Sequence, residues 1–281
     1  MNKKRLFNVV VTLCIVVLLL LGLRELAMFY NAQYMAESLK EVAIKIPKDD
    51  DEEEEEDPNH PFNRHIDFNA LKSINPDIVG WLYVPGTVID YPILVGDTDL
   101  SYQSRDYYGN SSVIGSIFSY ADVDLLNDDH IILFGHNMIS GQMFGGLKKY
   151  KGTDYARQHM YAYVYTPERV KECKLIATFN CHKTDEVFEA SGKKDKKEKD
   201  SLESSTFGSN SIIDIDEDDT VDSGRTLDEW NKFVNGRSIY PLELPKEAGQ
   251  LYTLSTCDGY TGTSNRLAVN YTVIREKYVL K

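Results

Sequence analysis

Cysteine is scarce in this chain: its 281 residues hold four, at positions 14, 173, 181 and 257. So few, so spaced, do not make a disulfide scaffold, and the single Cys181-His182 dipeptide lacks the paired spacing of a zinc site. Cys173 and Cys181 fall in what reads as one strand. Eight residues of extended chain span about 26 Å, against a limit of about 7 Å between bridged Cα atoms, so no bond is expected between them. Basic residues are also in deficit, with 31 Lys and Arg against 44 Asp and Glu and a net charge of −13. That balance argues against a protein that grips nucleic-acid phosphates through a cationic face, although much of the negative charge lies in one tract. A β-α-β alternation is missing too, which argues against a doubly wound parallel sheet.

What is present begins with Lys3, Lys4 and Arg5, followed by a nearly unbroken apolar run over residues 6–23. The run is long enough to cross a bilayer, and the basic flank predicts a short cytoplasmic tail (1–5), a transmembrane anchor (6–23) and a body outside the cell. A cleaved signal peptide is the competing reading, but no small-x-small cleavage site follows. Residues 24–61 read as a helical, then acidic, linker. Leu26, Tyr30, Tyr34, Leu39, Val42 and Ile46 recur at roughly helical spacing, and 49–57 is a solid acidic run. Its plain reading is a solvated spacer, with calcium or a basic partner as alternatives.

Residues 62–281 then form the folded part, ample for one buried core. A short helix is expected at 67–74, stopped by Asn75-Pro76, with strands at 79–84, 88–91, 116–120, 130–134, 161–166 and 173–181 and a helix over 143–150. The segment 183–224 is rich in Lys, Asp, Glu, Ser and Gly and reads as a long polar surface insertion. A capped helix follows: Thr226 and Glu229 make a capping box, Leu227, Trp230, Phe233 and Val234 give an apolar face, and Gly236 is the stop. Short strands with turn signals and peripheral helices point to a mostly β fold, an antiparallel barrel or rolled sheet.

The last two strands carry the chemistry. In Leu251-Tyr-Thr-Leu-Ser-Thr-Cys257, Tyr252 and Leu254 share one face; in the strand after Arg266, Leu267, Val269, Tyr271 and Val273 do. Pairing Leu254 with Val269 and Tyr252 with Tyr271 lets both sets meet one core and sets Cys257 opposite Arg266, on the face away from that core. Slips by two residues satisfy the same parity. His136 ends the apolar run 131–135, so its imidazole is expected where a sheet meets solvent. His130 starts that strand at the wrong end, and His60, His65 and His159 end no such strand.

Thr253-Leu-Ser-Thr-Cys257 followed by Asn265-Arg266, with Phe134-Gly-His-Asn-Met138, Asn75-Pro-Asp-Ile-Val-Gly-Trp-Leu82 and Ile89-Asp-Tyr-Pro-Ile93 upstream, resembles the class B sortases. These are membrane-anchored transpeptidases of Gram-positive bacteria, and the order of elements over 62–281 fits them. The resemblance implies a sortase-like eight-stranded β-barrel, preceded here by the transmembrane helix. It implies Cys257 as nucleophile, His136 as acid and base, and Arg266 as substrate and oxyanion holder, since a guanidinium stays charged and cannot act as a base. Ser255, Asn137 and Asp258 are then candidate substrate-binding residues. The implied partners are secreted proteins bearing a sorting signal, a lipid-linked peptidoglycan precursor amine and the cell membrane, with no nucleic acid. No metal or organic cofactor is called for. Two rivals share these residues: a cysteine peptidase that releases its acyl-enzyme to water, and an inactive sortase-like binding or scaffold protein.

Overall fold

A computed structural model of the chain describes residues 3–45, 60–188, 225–259 and 263–279. The acidic run 49–57 and most of the polar insertion lie outside the described residues. The chain divides into two compact units, 1–42 and 43–281. The first is built on one continuous helix, α1 (Lys3–Ala43), whose stretch Lys3–Arg24 is long and apolar enough to cross a membrane.

The second unit opens on a small antiparallel pair, β1 (Ile44–Lys45) with β2 (His65–Ile66), and then α2 (Phe68–Ile74), whose N-cap Asp67 accepts the amide of Ala70. Strands β3 (Ile78–Tyr83), β4 (Asp90–Leu94), β5 (Ile117–Phe118) and β6 (His130–Phe134) follow. A 3-10 stretch, Gly145–Lys151, leads into α3 (Thr153–Gln158). Then come β7 (Tyr161–Tyr165), β8 (Arg169–His182), α4 (Leu227–Asn235), β9 (Leu251–Cys257) and β10 (Asn265–Tyr278). Eight strands close a barrel in the order β10, β8, β7, β3, β4, β5, β6, β9, with β9 paired back to β10.

Several expectations shift in ways the backbone explains. The strand expected at 88–91 begins at Asp90, because Val84 accepts the amide of Thr87 and donates to Ile89, leaving Val88 exposed in the turn. The helix expected over 143–150 is instead a 3-10 stretch entered through Met143 at φ +51°. Gly145 and Gly146 open it, and glycine gives an α-helix little support. Gly145 also lies so close to Met138 that an added Cβ would sit 2.1 Å from the Met138 carbonyl oxygen. Helix α4 keeps its predicted box: Thr226 Oγ1 accepts the Glu229 amide while the Glu229 carboxylate accepts the Thr226 amide.

The face of β9 and β10 that was to lie away from the core is covered as well. Leu251 and Ala268 pack there with Ile176, Ala177, Phe179 and Cys181 of β8 and with Trp230 and Val234 of α4, forming a second apolar layer. Every residue of β9 is therefore buried. A closed barrel has an inside and an outside, and α4 seals part of the outside. Within this layer His130 packs at a tilt against Trp230 with ring centroids 4.6 Å apart, its Nε2 2.8 Å from Thr253 Oγ1, so it is a structural histidine.

Candidate active site

Four strand ends gather at one mouth of the barrel, and topology is the reason. β6 pairs with β9 in parallel, Phe134 beside Ser255, so both chains leave the sheet at the same end. β10 runs antiparallel to β9 and to β8, with Arg266 the Cα partner of both Cys257 and Cys181. Cys257 thus stands across from Arg266, in the predicted register without a slip, and His136 emerges two residues beyond the end of β6.

Cys257 is a free thiol, 8% exposed. Burial raises its pKa above the ordinary thiol value; the Arg266 guanidinium and a backbone hydrogen bond oppose that rise only in part. His136 moves the other way. Burial lowers its pKa, and the hydrogen bond to the Gln103 carbonyl partly offsets the fall. That bond, 2.8 Å from Nε2, also names the tautomer. A carbonyl oxygen can only accept, so Nε2 carries the hydrogen, and Nδ1 is left to exchange a proton in the neutral ring. Gly115 makes this approach possible. It sits at φ +62°, and a Cβ there would lie 2.4 Å from Gln103 O and 3.0 Å from His136 Cδ2. Both shifts favour a protonated thiol beside a neutral imidazole, and among the described residues no hydrogen bond joins the two.

Arg266 is almost fully buried at 1% exposure, and its Nη1 donates to the carbonyls of Thr263 (2.5 Å) and Asn265 (3.1 Å). The guanidinium therefore holds the start of β10 as well as facing the thiol's strand. Ser255 shares the face of Cys257; its Oγ is buried and has no hydrogen-bond partner among the described residues. Asn137 donates its side-chain amide to the carbonyls of Cys257 (2.7 Å) and Gly259 (3.2 Å). Asp258 is held by Lys151 at 2.7 Å. All six expected residues thus belong to this one mouth. The loop 259–264 is only partly within the described residues.

Three contacts at this mouth escape a reading of side-chain patterns: the Gln103 carbonyl, the Lys151 ammonium and the Thr256 hydroxyl, which donates to the Gly135 carbonyl at 2.8 Å. The first is backbone chemistry, and the others are set by which segments the barrel brings together. A separate cavity of about 410 Å³ opens among Leu126, Lys171, Gln250 and Glu276. It contains none of Cys257, His136 and Arg266. Lys171 Nζ there already meets Leu125 O, Gln250 Oε1 and Tyr252 Oη, so the thiol end is where a reaction has its groups available.

No family model matches the chain. It is 39% identical to sortase B of Listeria monocytogenes over 90 residues, 32% of this chain and 37% of that relative's length. It is 28% identical to sortase B of Staphylococcus aureus over 211 residues, 74% of this chain and 75% of that one. Among solved structures, the crystal structure of sortase B from B. anthracis superposes with a TM-score of 0.61 at 22% identity, covering 89% of this chain and 99% of the other. The S. aureus sortase B-substrate complex gives 0.56 at 22%, covering 74% and 84%.

Proposed function

We propose that the chain is a class B sortase, like the relatives it resembles, that cleaves a sorting signal on secreted proteins through a thioacyl link at Cys257 and hands the acyl group to an amine of a cell-wall precursor. The observation that carries this reading is Cys257 opposite Arg266, with His136 on the parallel neighbouring strand end.

Neutral His136 takes the thiol proton at Nδ1 as Cys257 Sγ attacks the scissile carbonyl. The S–C bond forms, the peptide C–N bond breaks, and the imidazolium gives the proton to the leaving amine. In the second half the ring removes a proton from the incoming amine, the new C–N bond forms, and the proton ends on the departing thiolate. Arg266 supplies the donor for the carbonyl oxygen as it gains charge, an effect worth about 3–4 kcal/mol at comparable sites. Ser255, with its buried and unpartnered hydroxyl, is read as a substrate contact with Asp258 close by, whereas Asn137, expected among the substrate contacts, spends its side-chain amide on the Cys257 and Gly259 carbonyls.

Residues 6–23 serve in this reading as an uncleaved anchor with a cytoplasmic N-terminus, which keeps the enzyme where secreted substrates and lipid-linked precursor meet. The S. aureus structure solved with its substrate supports a sorting-signal ligand for this chain as well. The test is product analysis: the full chain in detergent is incubated with a panel of sorting-signal peptides, with and without an amine acceptor. Ligated product in the presence of amine is expected. Hydrolysed peptide alone, with amine present, would replace the transpeptidase by a peptidase.

A further inference from the structure

The parallel ladder between β6 and β9 ends at Phe134 and Ser255, and its last backbone rung is the Gly135 amide donating to the Ser255 carbonyl at 3.2 Å. Side chains continue it. Thr256 Oγ1 donates to Gly135 O at 2.8 Å, then Asn137 Nδ2 donates to Cys257 O at 2.7 Å and to Gly259 O at 3.2 Å. These bonds run in order along the two chains and bracket His136 on one and Cys257 on the other. Thr256 is fully buried, so water cannot replace its bond to Gly135. Successive strand residues face opposite ways, so Thr256 points away from the side that presents Ser255 and Cys257.

Among the described residues, backbone bonds from Gly135 to Ser255 O and from Phe144 to His136 O (3.0 Å) also hold this segment, but past the last rung it is the side chains of Thr256 and Asn137 that tie it to the Cys257 strand end. The ring is tied to Gln103, and no hydrogen bond links it to the thiol. Their separation is therefore set by their backbones. We infer that Thr256 and Asn137 are positioning residues, a side-chain clamp that holds the His136 segment against the Cys257 strand end and so fixes the geometry of proton transfer. This rests on the acyl-transfer reading above.

The test uses the full chain and compares Thr256→Val, Thr256→Ser and Asn137→Ala. The valine keeps the shape and removes the hydroxyl; the serine keeps the hydroxyl. Thr256→Val and Asn137→Ala should lower kcat roughly 10- to 100-fold while KM stays within about twofold, as for a misplaced catalytic group. Thr256→Ser should stay close to the parent. Alkylation of Cys257 by iodoacetamide should be nearly unchanged in all three, because the thiol itself is intact. In a His136→Ala background, Thr256→Val should add less than about a twofold loss in single-turnover acylation, because there is no imidazole left to place. If Thr256→Val does not fold, Asn137→Ala, which removes a partly exposed side chain, decides. Near-parental kcat in Asn137→Ala and Thr256→Val overturns the clamp, and so does a full loss that persists without His136. A parent chain that forms no acyl-enzyme with any peptide, by contrast, removes the acyl-transfer reading and the clamp with it.

Discussion

Replacing Arg266 by lysine separates what its charge does from what its shape does. Arg266 is 1% exposed, and its Nη1 donates to the carbonyls of both Thr263 and Asn265 while the residue lies across from Cys257. A lysine keeps the positive charge but has one compact ammonium on a flexible stem, so it cannot hold the loop carbonyls and face the reacting carbonyl in one planar arrangement. Losing one charge-assisted hydrogen bond costs about 1.5–3 kcal/mol of stability. Losing an oriented oxyanion donor costs about 2.7–4 kcal/mol in the transition state, or 10²- to 10³-fold in rate. Because Arg266 lowers the Cys257 pKa through its charge, Arg266→Lys should leave the pH dependence of Cys257 alkylation where it is, whereas Arg266→Gln should move it upward. The assay is kcat for amine transfer, with thermal unfolding and iodoacetamide titration on the same samples. Retention by Arg266→Lys of more than about a third of the parental rate would refute the oriented-donor argument.

Further outcomes follow from the same site. Cys257→Ala should form no acyl adduct, and His136→Ala should keep less than about a tenth of the rate. The pH–rate profile should be bell-shaped. Its acid limb should fall below the ordinary imidazole value of about 6.5, because burial lowers His136, and its alkaline limb above the ordinary thiol value of about 8.5, because burial raises Cys257. The neutral ring with the protonated thiol is lost as pH falls through the first and as it rises through the second; limbs displaced inward would contradict those shifts. Trp230→Ala should destabilise the second unit by about 3–5 kcal/mol in a denaturant titration, since Trp230 is fully buried in the layer that covers β9. Gly145→Ala should lower the unfolding temperature, because its Cβ would meet the Met138 carbonyl; an unchanged midpoint would mean the backbone there yields freely.

Much of the C-terminal half was legible because alternation there leaves only registers two residues apart, of which the structure adopts the unslipped one. The apolar sets Tyr252, Leu254 and Leu267, Val269, Tyr271 can meet only when paired, and the pairing places Cys257 beside Arg266. The capping box at Thr226 and the span of β6 were equally local signals. What the residues did not disclose depends on long-range topology. That β6 lies parallel to β9 is written in neither strand, yet it brings His136 to the thiol. The second apolar layer was missed because Thr253 makes that side of β9 look solvated until α4 and β8 pack against it. Gln103 was invisible because it acts through its backbone. Thr256 was visible, but its partner is a carbonyl more than a hundred residues away.

The proposed function stands on acylation of Cys257 by a sorting-signal peptide. Acid-quenching the full chain with peptide in the absence of amine, then mapping the adduct by mass spectrometry, tests it most directly. One acyl group on Cys257 is expected, lost in Cys257→Ala and discharged as ligated product when amine is added. An adduct at another residue, or turnover that persists in Cys257→Ala, would contradict it.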